Sequence, residues 1–241
     1  MIRRSLTAAF LLAVLASTPG QAQAPAAKPA KALRYLAPAD IDPSRILPPP
    51  PADGSDQNRA EIADLHRIIG ARTPADLAKA KWDDDHEDPS MYYATIGAGF
   101  DLKGMPATAE LLSIVQDDAS LAATAAKKLF ARKRPWAVDA TIPTCDPDDK
   151  PLTSYPSGHA TLGFSLGMTL AALIPERSQA FMARASEYAH SREVCGSHYA
   201  SDTRASQALA AAFVTALLKD PEFRQKFDAA KTELRAAKFA N

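Results

Sequence analysis

Apolar residues recur along this chain at three- and four-residue steps, the spacing that lines one side of an α-helix. Between Asp56 and Ile69, the side chains of Ile62, Leu65, Ile68 and Ile69 form one stripe, so the segment reads as a helix. Thr73-Pro74-Ala75-Asp76 reads as the next helix start, with Thr73 as N-cap and Pro74 at the first helical position. From Ala107 to Phe130, Leu111, Leu112, Ile114, Val115, Leu121, Leu129 and Phe130 predict one or two helices, with Arg134-Pro135 ending the pattern. Trp136 to Tyr155 lacks a helical period and is rich in turn residues, which predicts a loop. Three helices follow at Ala160 to Ile174, Glu176 to about Arg192, and about Asp202 to Leu218, and a polar helix from Pro221 to about Lys238 closes the chain. The fold class expected is an all-α helical bundle.

Ala160 to Ile174 is apolar nearly throughout. It falls short of the ~18 uncharged apolar residues that a membrane span needs. It also carries Thr161, Ser165 and Thr169, so it reads as a buried core helix. The start of the chain has a different character. Arg3 and Arg4 precede an apolar stretch, Leu6 to Ala16, and small residues follow, the order of a secretory signal. Cleavage after Ala22 fits the small-x-small rule, whereas cleavage after Ala24 would place Pro25 at the cut; a membrane anchor is the alternative reading. The organisation expected is therefore a signal peptide over 1–22, a Pro/Ala-rich arm over 23–52, and one all-α domain over 53–241. That Pro/Ala-rich stretch ends in consecutive prolines, Leu47-Pro48-Pro49-Pro50-Pro51, which exclude helix and favour extended backbone, as a disordered leader or as an arm laid over the folded body.

Composition adds little beyond a soluble globular class, at 46% hydrophobic and 23% charged. The 28 basic and 28 acidic side chains cancel, so nothing in the global charge points to nucleic acid, and an anion site must come from local clustering. Asp83-Asp84-Asp85-His86-Glu87-Asp88 is one such cluster, of acidic sign; it lacks defined metal-ligand spacing and reads as a solvated turn. Lys127, Lys128, Arg132, Lys133 and Arg134 form a basic one. Taken alone that run is a solvated face or a nucleic-acid patch. Lys127 and Arg134, seven apart, would share one helix face.

The company of that run changes its meaning. Ser157-Gly158 stands just before a helix, and Arg192 lies further on. An ammonium, two guanidinium groups and a helix N-terminus are what an oxyanion with three terminal oxygens needs, and Gly158 lets the backbone come close to it. His198 and Asp202 are four apart. On a helix beginning near His198 the carboxylate could hold one ring nitrogen's proton and leave the other free to attack. His159, beside the helix start, could protonate a leaving alkoxide. His66, His86 and His190 have no comparable setting.

Together, Lys127-x6-Arg134-Pro135, Pro156-Ser157-Gly158-His159 and Ser191-Arg192-x5-His198-x3-Asp202 resemble the signature of the type 2 phosphatidic acid phosphatase superfamily. That superfamily also holds the vanadium haloperoxidases and the bacterial class A non-specific acid phosphatases. The nearer resemblance is to the class A enzymes, through the signal, the proline-rich start at Leu47 to Ser55, Pro143-Thr144-Cys145, Ser154 to His159 and Ser191 to Asp202. The resemblance implies that His198 is the nucleophile, His159 the acid/base and Asp202 the orienting carboxylate. It further implies that Lys127, Arg134, Ser157, Gly158 and Arg192 bind phosphate, with no metal or other cofactor. Ala160 stands where those enzymes usually carry Thr, and Tyr199 where they carry Trp. Trp82 to Phe100 departs from the segment that contributes to the family's substrate mouth, so substrate preference is the least direct implication.

The function expected is a periplasmic or secreted phosphomonoesterase acting on small phosphate monoesters such as nucleotides, sugar phosphates and aryl phosphates. The alternatives are a vanadate-dependent haloperoxidase, a lipid phosphate phosphatase and a non-enzymatic phosphate-binding protein. No nucleic-acid partner and no stable membrane span are expected, and a homo-oligomer is left open. Cys145 and Cys195, two cysteines in an exported chain, point to a disulfide, with two free buried thiols as the alternative.

Overall fold

The computed structural model describes residues 32–145 and 150–241. The signal peptide over 1–22, the first part of the arm over 23–31 and the acidic turn over 146–149 lie outside the described residues. The long helices are α1 (Asp56–Ala71), α2 (Pro74–Asp85), α3 (Pro106–Phe130), α4 (Gly158–Leu173), α5 (Ser178–Val194), α6 (Ala200–Leu217) and α7 (Pro221–Ala236). Among the described residues there is no β-strand, as expected of an all-α bundle. Nor is any helix among them long and apolar enough to cross a membrane.

The helix that is apolar on all sides, α4, lies at the centre, packed against α3, α5 and α6. Its hydroxyls are satisfied locally: Thr161 and Thr169 donate to the carbonyls of Ser157 and Ser165, at 2.8 Å in both cases. Two glycines let neighbours come close. A Cβ at Gly163 would lie 2.8 Å from the Tyr188 ring, and one at Gly167 would lie 2.6 Å from the Tyr92 hydroxyl. That hydroxyl donates to the Gly163 carbonyl at 2.7 Å. Around α4 the core is filled by Leu111, Leu112, Leu166, Leu170, Phe181, Leu209, Phe213 and their neighbours.

Most helix ends follow local chemistry. Thr73 caps α2 through a reciprocal pair: its hydroxyl accepts from Asp76 N, and the Asp76 carboxylate accepts from Thr73 N. Helix α3 is a single 25-residue element, and it stops at Phe130, before Arg134-Pro135. Ala131 ends it in the left-handed region (φ 44°), its N–H bonded to the Lys127 carbonyl. The expected loop after it begins with a single helical turn, Pro135–Val138.

Two expectations are corrected. Proline-rich backbone before residue 47 is not simply extended: Pro38 and Pro43 each open a short helical turn, Pro38–Ile41 and Pro43–Ile46, at the position where a missing N–H costs nothing. Ile41 and Leu47 are buried, and Tyr155 donates to the Pro48 carbonyl at 2.8 Å. The acidic run is not a solvated turn either. Asp83 to Asp85 form the last turn of α2, and Asp83 is fully buried among Arg184, Lys79 and Ser191. Three cationic and hydroxyl donors offset the burial of its charge, and Arg184 and Ser191 tie α2 to α5.

Cys145 and Cys195 are bonded to each other, joining the loop before α4 to the end of α5 across 50 residues. Gly196, next in sequence, has φ +68°, and a Cβ there would lie 2.1 Å from the Pro143 carbonyl. Mass measurement after alkylation of the denatured, unreduced protein should find no labelled thiol. A Cys145→Ser/Cys195→Ser variant should lose up to about 4 kcal/mol of stability in denaturant titration, the loop-entropy value for a closure of this length. Two labelled thiols in the native chain would rule the bridge out.

Candidate active site

His198 sits in the five-residue link between α5 and α6, made buried and rigid by the disulfide and by Gly196. Asp202 does not share a helix face with it, as the four-residue spacing suggested, because α6 begins only at Ala200. Asp202 is the third residue of α6, and its carboxylate reaches back over the helix start. There Oδ2 meets His198 Nδ1 at 3.2 Å, the Tyr199 N–H at 3.0 Å and the Ser154 hydroxyl at 2.6 Å. The carboxylate thereby accepts a hydrogen bond from Nδ1–H and leaves the Nε2 lone pair directed at Arg134 NH1, 3.1 Å away.

Behind this pair lies an arginine that the sequence pattern assigned to a solvated basic run. Arg132 is buried, and its two terminal nitrogens divide between Asp202 Oδ1 at 2.6 Å and Glu61 Oε2 at 2.8 Å. Its guanidinium lies over the Tyr199 ring, 3.9 Å from the centroid. Glu61 in turn accepts from the Ser201 N–H at 2.8 Å. Burial pushes the Asp202 carboxyl up to about 6, while Arg132, Ser154 and the Tyr199 N–H pull the other way. His198 is held well below its ordinary value, first by burial and then by the positive charges of Arg134, Lys127 and Arg192. Its imidazole is therefore neutral, with a lone pair to offer.

The residues expected to bind an anion lie around the same histidine, brought there by four different segments. Ser157 caps α4, its hydroxyl accepting from Ala160 N, and Gly158 is the first helical residue. Lys127 Nζ, from the last turn of α3, lies 3.5 Å from where a Gly158 Cβ would stand. Arg134 is not on the α3 face that seven-residue spacing implied. The left-handed turn at Ala131 releases it, and it bonds the Ser197 carbonyl at 3.1 Å and Thr153. Arg192, on α5, is 1% exposed, bonds Asp84 through NH1, and has a buried Nε with no hydrogen-bond partner among the described residues. A helix N-terminus, an ammonium and two guanidiniums thus enclose one small region.

His159, the second residue of α4, borders that region. Its Nε2 lies 3.1 Å from the Asp84 carbonyl, and its Nδ1 lies 3.7 Å from Glu87 Oε1. Burial and the Arg192 charge push its value down to about 3, Lys127 and Arg134 adding to the effect and the Asp84 carbonyl opposing it. Next to it opens a cavity of about 280 Å³ bounded by Glu87, Gln116, Ser120, Thr124, Lys127 and Gly158. The remaining histidines stand apart: His66 pairs with Asp139, His86 stacks on Trp82, and His190 faces Glu193. The eight residues selected from sequence are therefore brought together. Arg132, Asp84 and Glu87 were missed because charge runs carry no signal for which member turns inward, and Glu61 because a lone acidic residue beside an apolar stripe carries none either.

Comparison with known proteins gives the same constellation a lineage. Residues 108–226 match the PAP2 superfamily. An acid phosphatase of Zymomonas mobilis is 32% identical over 208 residues, covering 82% of this chain and 77% of that protein. A non-specific acid phosphatase of Providencia stuartii is 31% identical over 212 residues, 82% and 83% of the two chains. One from Salmonella typhimurium is 29% identical over 196 residues, 78% of each. The matched span runs from the start of α3 into α7 and carries every cation and both histidines of the pocket, and on these similarities the chain belongs to the PAP2 superfamily, in the company of non-specific acid phosphatases.

Proposed function

We propose that this protein is an exported, metal-independent acid phosphatase that hydrolyses a broad range of small phosphate monoesters through a phosphohistidine at position 198. The observation that carries the reading is the orientation of His198: Nδ1 is tied to a buried carboxylate, and Nε2 faces the Arg134 guanidinium at 3.1 Å, in the field of the Lys127 and Arg192 charges. A phosphate monoester seated at the α4 N-terminus would present its phosphorus to Nε2. The N–P bond forms as the P–O bond to the leaving group breaks, and His159 delivers a proton to the departing oxygen. His159 then takes a proton from water, whose oxygen attacks phosphorus, releasing inorganic phosphate and neutral His198.

His159 must be protonated for the first step, yet burial and the surrounding cations disfavour its charge. A bound phosphate dianion supplies negative charge against Lys127, Arg134 and Arg192 and reverses the cause of that depression. Proton uptake by His159 should therefore accompany substrate binding, which suits turnover under acid conditions. The fixed cations also offset the charge that builds on the phosphoryl oxygens, the task a metal performs elsewhere. The signal-like residues 1–22 support export to the periplasm or beyond.

Two experiments test this. After exhaustive dialysis against a chelator the enzyme should keep full activity on p-nitrophenyl phosphate and should be inhibited by vanadate, which resembles five-coordinate phosphorus. Activity lost on dialysis and restored by zinc or magnesium would overturn the metal-independent mechanism.

The second separates the histidines. His198→Ala should abolish turnover of every ester, because the covalent route is gone. His159→Ala should damage hydrolysis of alkyl phosphates by ~10²–10⁴-fold more than phosphoenzyme formation from p-nitrophenyl phosphate, whose leaving group departs without a proton. This variant should accumulate label on His198, read by rapid quench under alkaline conditions. Label on His159, or equal losses for both substrates, would mean the roles are reversed or the route is not covalent.

A further inference from the structure

The acidic end of α2 touches the pocket at two places that the mechanism above does not use. Asp84 Oδ1 accepts from Arg192 NH1, and the same oxygen lies 3.6 Å from His159 Nε2. Its backbone carbonyl is 3.1 Å from that nitrogen. The residue is held rigidly, since its neighbour Asp83 is anchored on Arg184 and Ser191 of α5. Its side chain is 13% exposed, against 1% for Arg192. Arg192 therefore spends one terminal nitrogen on Asp84, while its buried Nε has no hydrogen-bond partner among the described residues and is left for an anion.

We propose that Asp84 is a positioning residue of this site: its carboxylate holds the Arg192 guanidinium at the edge of the anion pocket and sets a negative charge beside His159. The inference rests on the phosphatase reading above. The charged groups facing His159 are Arg192 of α5, Lys127 of α3, Arg134 from the link after α3, and the carboxylates of Asp84 and Glu87; the neutral imidazole of His198 also faces it, and the Tyr188 ring lies 6.0 Å from its own. Asp84 and Glu87 are thus the negative side of a balance whose positive side binds the substrate. With a phosphate dianion in place, the Asp84 charge favours the protonated imidazole that the leaving oxygen requires.

The two contacts have separable signatures. Asp84→Ala loses the Arg192 hydrogen bond and the charge, whereas Asp84→Asn keeps a side-chain oxygen for Arg192 and loses only the charge; the backbone carbonyl at His159 remains in both. In Asp84→Ala, KM for p-nitrophenyl phosphate and the vanadate dissociation constant should each rise about tenfold, and Asp84→Asn should restore both to within about threefold. In both variants the alkaline limb of the kcat–pH profile for an alkyl phosphate should move to lower pH by about one unit, because a charge favouring imidazolium is gone. The limb for p-nitrophenyl phosphate should stay in place. Wild-type binding of vanadate by Asp84→Ala, an Asn variant no better than the Ala variant, or an unmoved limb would overturn the proposal. Lack of phosphatase turnover in the wild-type chain would instead defeat the underlying reading, and vanadate calorimetry on the three proteins would still decide the Asp84–Arg192 contact.

Discussion

The buried guanidinium of Arg132 is the interaction on which the reactive end of the bundle depends. It connects Glu61 on α1 to Asp202 on α6, from a link just past α3, so three elements distant in sequence meet at one cation. Each partner has further donors: Asp202 accepts from Ser154 and the Tyr199 N–H, and Glu61 from the Ser201 N–H. A buried pair missing one member leaves an uncompensated charge, at a cost of about 3–5 kcal/mol, so the network stands or falls as a unit. Asp202 is thereby held where its second oxygen can accept the hydrogen bond from His198 Nδ1–H. The tautomer of His198 is the last link in a chain of ion pairs that begins on α1.

A second network mirrors it on the other side of the pocket. Asp83 binds Arg184 and Ser191, Asp84 binds Arg192, and α2 is pinned to α5. Both networks place a carboxylate behind an arginine or a histidine that faces the anion site. The pocket can then be strongly cationic at its surface without the self-repulsion that three clustered cations would otherwise impose. Charge neutrality of the whole chain, 28 against 28, is consistent with this local pairing and gave no hint of where it occurs.

The central helix links the networks. Because α4 is packed on all sides, its N-terminus is fixed relative to α3, α5 and α6, which deliver Lys127, Arg192 and Asp202. Gly163 and Gly167 allow Tyr188 and Tyr92 to lie directly on it. The disulfide and Gly196 do the same for the link carrying His198. Packing precision in the core therefore becomes angular precision at the site, the form in which a bundle can hold reacting groups in line.

Local order was legible from the sequence because it rests on short-range physics. Helical periodicity marked α1 and α3, an almost unbroken apolar run marked α4, Thr73-Pro74 marked the start of α2, and Ser157-Gly158 marked the start of α4. The motifs around Lys127, His159, Arg192 and His198 picked out residues that the fold brings together. What the sequence could not set was which charges turn inward. Arg132 and Lys133 are neighbours, yet one is buried in ion pairs and the other meets Asp53 at half exposure. Asp84 and Asp85 differ in the same way, since only Asp84 lies against Arg192. Spacing also misled where a helix ended early: Arg134 reaches the site through the left-handed turn at Ala131, and Asp202 reaches His198 across a helix start. Those outcomes depend on partners 60 to 140 residues away, such as Glu61 for Ser201, and only the packed tertiary structure brings such partners within the few ångströms over which a hydrogen bond acts.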